Sequence, residues 1–101
     1  MNNIDELIKL LKDRALSNGV RLGILIALYY VDSYLTFTDL QRDLEIPKSS
    51  LHQHLRILEE EGLIEFKKTI TSLGIRTVVR ITDKGKVIVR RYLDLIKDLK
   101  P

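Results

Sequence analysis

The sequence predicts a mainly helical α+β domain in which five helices and one β hairpin share a single core. Apolar residues recur at three- and four-residue steps near both ends and in the middle of the chain. Two short segments between Leu63 and Ile81 alternate with period two instead, and Gly, Pro, Ser, Thr and Asn punctuate the boundaries. At 101 residues the chain is the size of one ordinary domain and carries no repeat or Pro/Gly/Ser-rich linker. It is read as one unit, with residues 1–18 as an N-terminal helix, 20–82 as the core and 83–100 as a closing helix.

Ile4, Leu7, Ile8, Leu11, Ala15 and Leu16 give the first helix one apolar face, and Ser17-Asn18-Gly19 is expected to end it in a left-handed cap. Val20 to Tyr30 is apolar on nearly every side, so the second helix is expected to be buried, with Gly23 allowing a close neighbour. After a turn at Asp32-Ser33, Tyr34 to Phe37 reads as a short extended piece able to add a third strand. Thr38 and Gln41 have capping-box spacing, which starts a third helix there; Pro47 disfavours helical geometry at Ile46 and leaves Glu45-Ile46-Pro47 as a corner. A fourth helix begins between Pro47 and Ser49, with Leu51, Leu55 and Leu58 as its stripe and Gly62 as its stop. Leu63–Lys68 and Thr77–Ile81 alternate as a hairpin joined by a long connection, Thr69–Arg76, with Gly74 near its tip. Thr82 is placed to cap the last helix, which runs to about Leu99.

The net charge of +3 is unevenly placed: residues 1–47 carry five Lys/Arg and seven Asp/Glu, residues 48–91 carry ten and five, and residues 92–101 carry two of each. A basic excess gathered in one segment attracts a polyanion by counterion release, and nucleic acid is the usual polyanion. The absence of cysteine excludes disulfides, thiolate metal sites and thiol redox sensing. The apolar run Val20–Val31 is too short to cross a bilayer, and Met1 to Glu6 lacks the pattern of a secretory signal. No membrane partner and a cytoplasmic location are the expectations.

A short capped helix, a three-residue corner and a longer helix form a helix-turn-helix, and the basic hairpin that follows makes it winged. Arg21-Leu22-Gly23-Ile24-Leu25, Phe37-Thr38-Asp39-Leu40, Leu51 to Ile64 and Ile81-Thr82-Asp83-Lys84-Gly85 together resemble the small archaeal and bacterial winged-helix regulators related to the MarR and ArsR families. The resemblance covers about four fifths of the chain and implies a DNA-binding regulator of transcription.

The residues support that function independently. With Leu51, Leu55 and Leu58 inward, the fourth helix presents Lys48, Ser49, His52, Gln53 and Arg56 outward, with Ser50 to one side. A glutamine amide pairs with adenine and an arginine fork with guanine, while serine and histidine reach base edges or phosphates. Glu59, Glu60 and Glu61 at the far end would repel a backbone, so only the first turns are expected to enter the major groove. On the wing, Lys67, Lys68, Thr71, Ser72 and Arg76 are candidate contacts to phosphate and minor groove.

Ile88, Tyr92, Leu95, Leu99 and, beside them, Val89, Leu93 and Ile96 give the last helix more apolar surface than one side of a small domain needs. The expected interface joins Leu7, Leu11, Ile88, Tyr92, Leu95, Ile96 and Leu99 to those of a second copy. The homodimer would then repress from a pseudo-palindromic site. A different class of function, a winged-helix module for protein contact, would be expected to carry apolar or acidic residues on the outer face of the fourth helix. His52 and His54 point to nearly opposite sides of a helix and have neither a third histidine nor a cysteine, so no metal is expected. His54 is expected to pack at the helix flank, and His52 to face out and lend DNA binding a pH dependence. Ser49 and Ser50 lack a base and an orienting acid, so no catalytic residue, enzyme activity or cofactor is expected, and no effector is legible.

Overall fold

The computed structural model describes residues 2–31 and 33–99. Its elements are α1 (Asn3–Leu11), α2 (Gly19–Tyr30), β1 (Leu35–Thr36), α3 (Phe37–Leu44), α4 (Lys48–Glu60), β2 (Ile64–Thr71), β3 (Gly74–Ile81) and α5 (Asp83–Lys97). The strands form one antiparallel sheet in the order β1-β3-β2, so the extended piece before α3 does supply a third strand, pairing Leu35 with Val79 and Thr36 with Val78. Asp32, half of the expected Asp32-Ser33 turn, and Lys100, the end of the expected closing helix, lie outside the described residues.

The core is built from the stripes of the helices. Ile24, Leu25 and Leu28 of α2, Leu51, Leu55 and Leu58 of α4, Val89 of α5 and Ile64 and Val79 of the sheet are all essentially inaccessible to solvent. Burial of each large aliphatic side chain stabilises the fold by about 1.5–3 kcal/mol. The three leucines of α4 thereby hold one face of that helix in and its other face out.

Three boundaries differ from expectation, each because a side-chain oxygen captures a different backbone N–H. The first helix stops at Leu11, not at residues 17–19, since the Asp13 carboxylate accepts from the Ala15 N–H at 2.9 Å and bends the chain into a turn. Asn18 is extended (φ −123°) and is the N-cap of α2, its amide oxygen accepting from the N–H groups of Val20 and Arg21 at 2.9 and 3.1 Å. Thr36, not Thr38, caps α3, accepting from the Asp39 N–H at 3.0 Å. Gly23 is exposed, and nothing lies within 4 Å of where its Cβ would stand, so it does not mediate the close approach expected of it.

The hairpin is the largest departure. Its strands pair from Ile64↔Ile81 through Thr71↔Gly74, leaving Ser72 and Leu73 as a two-residue turn where a long loop was expected. The Thr71 hydroxyl accepts from the Leu73 N–H at 3.2 Å and donates to the Gly74 carbonyl at 2.8 Å, and Gly74 takes the positive φ of +99° that closes the turn.

At the base of the hairpin, Gly62 (φ +75°) ends α4, and its carbonyl accepts the Thr82 hydroxyl at 2.7 Å. The Thr82 oxygen in turn accepts from the Gly85 N–H at 3.0 Å, as expected of the cap of α5. Leu63 lends its carbonyl to the Thr82 N–H at 3.0 Å. These bonds lock the end of α4, the root of the wing and the start of α5 into one joint.

Candidate nucleic-acid interface

Glu45 takes a left-handed conformation (φ 54°) to end α3, and Pro47 then opens α4 at Lys48, which is the corner the sequence predicts. Pro47 offers no side-chain cap, and the first turn of α4 contains no acidic residue. The amides and dipole at this end therefore face outward without a carboxylate, a setting that favours an anion.

On α4, Lys48, Ser49, His52, Gln53 and Arg56 are exposed and Ser50 is half-buried, opposite the buried leucines. Among the described residues none of Lys48, Arg56, Lys67, Lys68 and Arg76 is engaged in a salt bridge. The acidic end of the helix has internal partners: a Glu59 oxygen accepts from the Phe66 N–H at 3.4 Å, and Glu60 lies 3.8 Å from Arg14.

His52 is exposed, but it is not free of neighbours. Its ring stands 4.7 Å from that of Phe37, centroid to centroid, and 6.3 Å from that of Phe66. One imidazole thus bridges α3 and β2 at the surface of α4. Only the tertiary fold brings these three rings together, so no spacing in the sequence announces them.

Alternation along β2 divides the wing residues. Lys68 shares a face with Phe66 and Ile70, whereas Lys67 points to the other face with Thr69 and Thr71. A groove of about 520 Å³ runs between α3, the start of α4 and the wing, lined by Thr38, Gln41, Lys48, His52, Lys68 and Arg76, among others. The expected pair of lysines is therefore split: Lys68 lines the groove, and Lys67, Thr71 and Ser72 do not. The period-two pattern of Leu63–Lys68 already carried the split of the lysines, whereas the expectation of a long loop from Thr69 concealed where Thr71 and Ser72 fall.

Arg21 makes a tie behind the reading helix that the sequence did not reveal. Its guanidinium donates to the carbonyls of Ala15 and Arg14 at 3.1 and 2.9 Å and meets Nδ1 of His54 at 3.1 Å, tying the turn before α2 to α4. A guanidinium has no acceptor, so His54 must accept through Nδ1 and carry its proton on Nε2. Burial, and secondarily the Arg21 charge, hold the His54 pKa below the usual histidine value. Burial, with a contribution from Arg14, lowers that of Arg21. His54 is half-buried on the flank, as expected.

Toward the other side of the domain, Leu95 is 2% exposed within its own chain and belongs to the core, which removes it from the expected interface. Leu7, Leu11, Ile88, Tyr92 and Leu99 are half-buried, and Ile96 is 42% exposed. Ile4 and Ile8 of α1, outside the expected set, are 54% and 49% exposed. No group of His, Cys, Asp or Glu suited to a metal ion occurs among the described residues, and no described helix is long and apolar enough to cross a membrane.

A short helix, a tight corner, an exposed polar helix and a hairpin beside it define a winged helix-turn-helix protein. Residues 20–99 match the winged helix DNA-binding domain family, and the chain belongs to it. An uncharacterized protein of Methanocaldococcus jannaschii is 36% identical over 74 residues, which is 73% of this chain and 79% of that protein. A transcriptional regulator homologue from Pyrococcus horikoshii is 38% identical with a TM-score of 0.78, over 92% of this chain and 91% of that one. The fold is shared with a MarR-family regulator from Enterococcus faecalis (18% identity, TM-score 0.74, 96% and 84% covered). It is also shared with S. aureus MepR in a DNA complex (19% identity, TM-score 0.73, 95% and 74% covered). The family is thus that of a winged helix DNA-binding domain, and the fold is the one these regulators share.

Proposed function

We propose that this protein is a sequence-specific, cytoplasmic transcriptional repressor that binds a pseudo-palindromic duplex site as a homodimer. The observation that carries the reading is the exposed row Lys48, Ser49, His52, Gln53 and Arg56 on α4, of which Lys48 and His52 line one groove with Lys68 and Arg76 of the wing. In this reading Ser49, His52, Gln53 and Arg56 reach base edges in the major groove. Lys48, with Ser50 beside it, and the wing residues Lys67, Lys68, Thr71, Ser72 and Arg76 hold phosphate and fix the register. Two copies joined through the exposed apolar surface of α1 and α5, Ile4, Ile8 and Ile96 with the half-buried Leu7, Leu11, Ile88, Tyr92 and Leu99, would read half-sites about 34 Å apart. Repression then follows from occupying a promoter.

Fluorescence-anisotropy titration of sites selected from a genomic pool tests this at several salt concentrations. If Lys48, Lys67, Lys68 and Arg76 each neutralise one phosphate, log K falls against log salt with a slope of about −4 for one copy and about −7 for a dimer. Arg56→Ala is expected to weaken the selected site by about tenfold and relax one base position, and Lys48→Ala to reduce the slope by about one per copy while leaving specificity in place. An affinity that does not fall with salt would refute DNA binding; selected sites without symmetry would refute the dimer.

A further inference from the structure

The wing carries three large aliphatic side chains at its end that stand mostly in solvent: Ile70 is 84%, Leu73 74% and Ile75 67% exposed. Ile70 and Ile75 are a cross-strand pair on the face that also bears Lys68, and Leu73 stands in the two-residue turn beyond them. The last sheet positions buried in the core are Val78 and Val79, paired with Lys67 and Phe66. The hairpin therefore overhangs the domain by about four residues, or about 13 Å.

Its surroundings indicate what covers this tip. Residues 67–76 contain Lys67, Lys68 and Arg76 and no carboxylate, and Ile75 lines the same groove as Lys48 and His52. An apolar protein pocket needs no such collar of cations, whereas a polyanion on both sides of the tip does. Resting on the DNA-binding reading above, we propose that Ile70, Leu73 and Ile75 form an apolar wedge that enters the minor groove next to the major groove read by α4 and opens a base step there. The minor groove is only about 6 Å wide and about 7.5 Å deep, and its floor presents acceptors and, at G·C pairs, one donor. Aliphatic groups satisfy neither. Their favourable place is between partly unstacked bases, with the duplex kinked and the flanking Lys68 and Arg76 against its phosphates. The wedge predicts a preference for a flexible pyrimidine–purine step, TA or CA/TG, under each wing.

The test measures binding and deformation separately on the same selected site. Fluorescence transfer between dyes on the two DNA ends reads the bend, and 2-aminopurine at the step under the wing reads unstacking. The wild type is expected to shorten the end-to-end distance and brighten 2-aminopurine. Leu73→Ser and the double variant Ile70→Thr/Ile75→Thr should abolish both signals and weaken binding by about tenfold, the scale of exposing one large aliphatic side chain, with unchanged circular dichroism. Salt-dependent binding that leaves the DNA straight and stacked overturns the wedge while leaving the DNA reading intact. So does a Leu73→Ser protein that bends DNA like the wild type, or one that differs from it only in sedimentation, which would mark the tip as a self-association contact. An absence of binding by the wild type at low salt overturns both.

Discussion

Gly85→Ala is expected to destabilise the protein even though it replaces glycine by alanine inside a helix. A Cβ at Gly85 would stand 2.3 Å from the Leu63 carbonyl oxygen and 2.7 Å from Cγ1 of Ile81. Carbon and carbonyl oxygen normally approach no closer than about 3.3 Å, so α5 would have to retreat by about 1 Å. The carbonyl cannot yield freely because it accepts from the Thr82 N–H at 3.0 Å, and Thr82 in turn bonds Gly62 and Gly85 at 2.7 and 3.0 Å. Overpacking costs about 1–3 kcal/mol, and each strained hydrogen bond adds about 1 kcal/mol. The helical preference for alanine returns about 1 kcal/mol. The net loss is about 2 kcal/mol, or a fall in Tm of about 10 °C for a domain of this size.

Gly23→Ala supplies the contrast, since nothing lies within 4 Å of its Cβ position in the middle of α2. There only the propensity gain remains, and a Tm rise of about 4 °C is expected. Thermal and urea unfolding of both variants, followed by circular dichroism at one protein concentration, gives the comparison. A Gly85→Ala protein as stable as the wild type would refute the close crossing of α5 over the wing root. Shifts of the same sign in both variants would mean that backbone preference, not the crossing, governs position 85.

Two further substitutions probe single contacts. Because burial and Arg21 depress the His54 pKa, the unfolded chain takes up a proton near pH 6.5 before the folded one does, so this contribution to stability is complete above about pH 6.5 and is lost as pH falls through the folded value. Urea midpoints between pH 8 and pH 5 should therefore fall less for His54→Gln than for the wild type; parallel curves would show that neither burial nor Arg21 depresses the His54 pKa in the folded state. Thr36→Val should cost about 1 kcal/mol by uncapping α3, while Thr38→Val should change the urea midpoint little, and the reverse order would restore Thr38 as the cap.

The apolar stripe of α4 made its reading face legible before any coordinates, because a helix that buries Leu51, Leu55 and Leu58 has no freedom left in where it points His52, Gln53 and Arg56. The same reasoning located every helix and the third strand. It failed at ends of elements, where periodicity states which face is buried but not which N–H a nearby oxygen will reach. Asp13, Asn18 and Thr36 each decided such a choice within three residues. It also failed for the Arg21–His54 contact, whose partners lie 33 residues apart and meet only after α2 and α4 have packed.

Those tertiary contacts fix the relation between the wing and α4. The wing is held by the Thr82–Gly62 bond at its root, by Glu59 against the Phe66 N–H, and by the ring of His52 between Phe37 and Phe66. All three lie within one domain, so the width of the groove between Lys48 and Lys68 is set by the monomer. The distance between two such grooves, in the proposed dimer, is set elsewhere, by the surface of α1 and α5. The two properties should separate under mutation, as distant sites with no shared partners do. His52→Ala, which removes the ring bridge, is expected to weaken an isolated half-site and the full palindrome by the same factor per bound copy. Ile8→Glu on α1 should leave half-site affinity unchanged and abolish the dependence on half-site spacing, read by titrating sites with one to three inserted base pairs. If Ile8→Glu instead weakened the half-site, α1 would be part of the DNA-reading unit, and the division of the chain into a reading domain and a spacing device would fail.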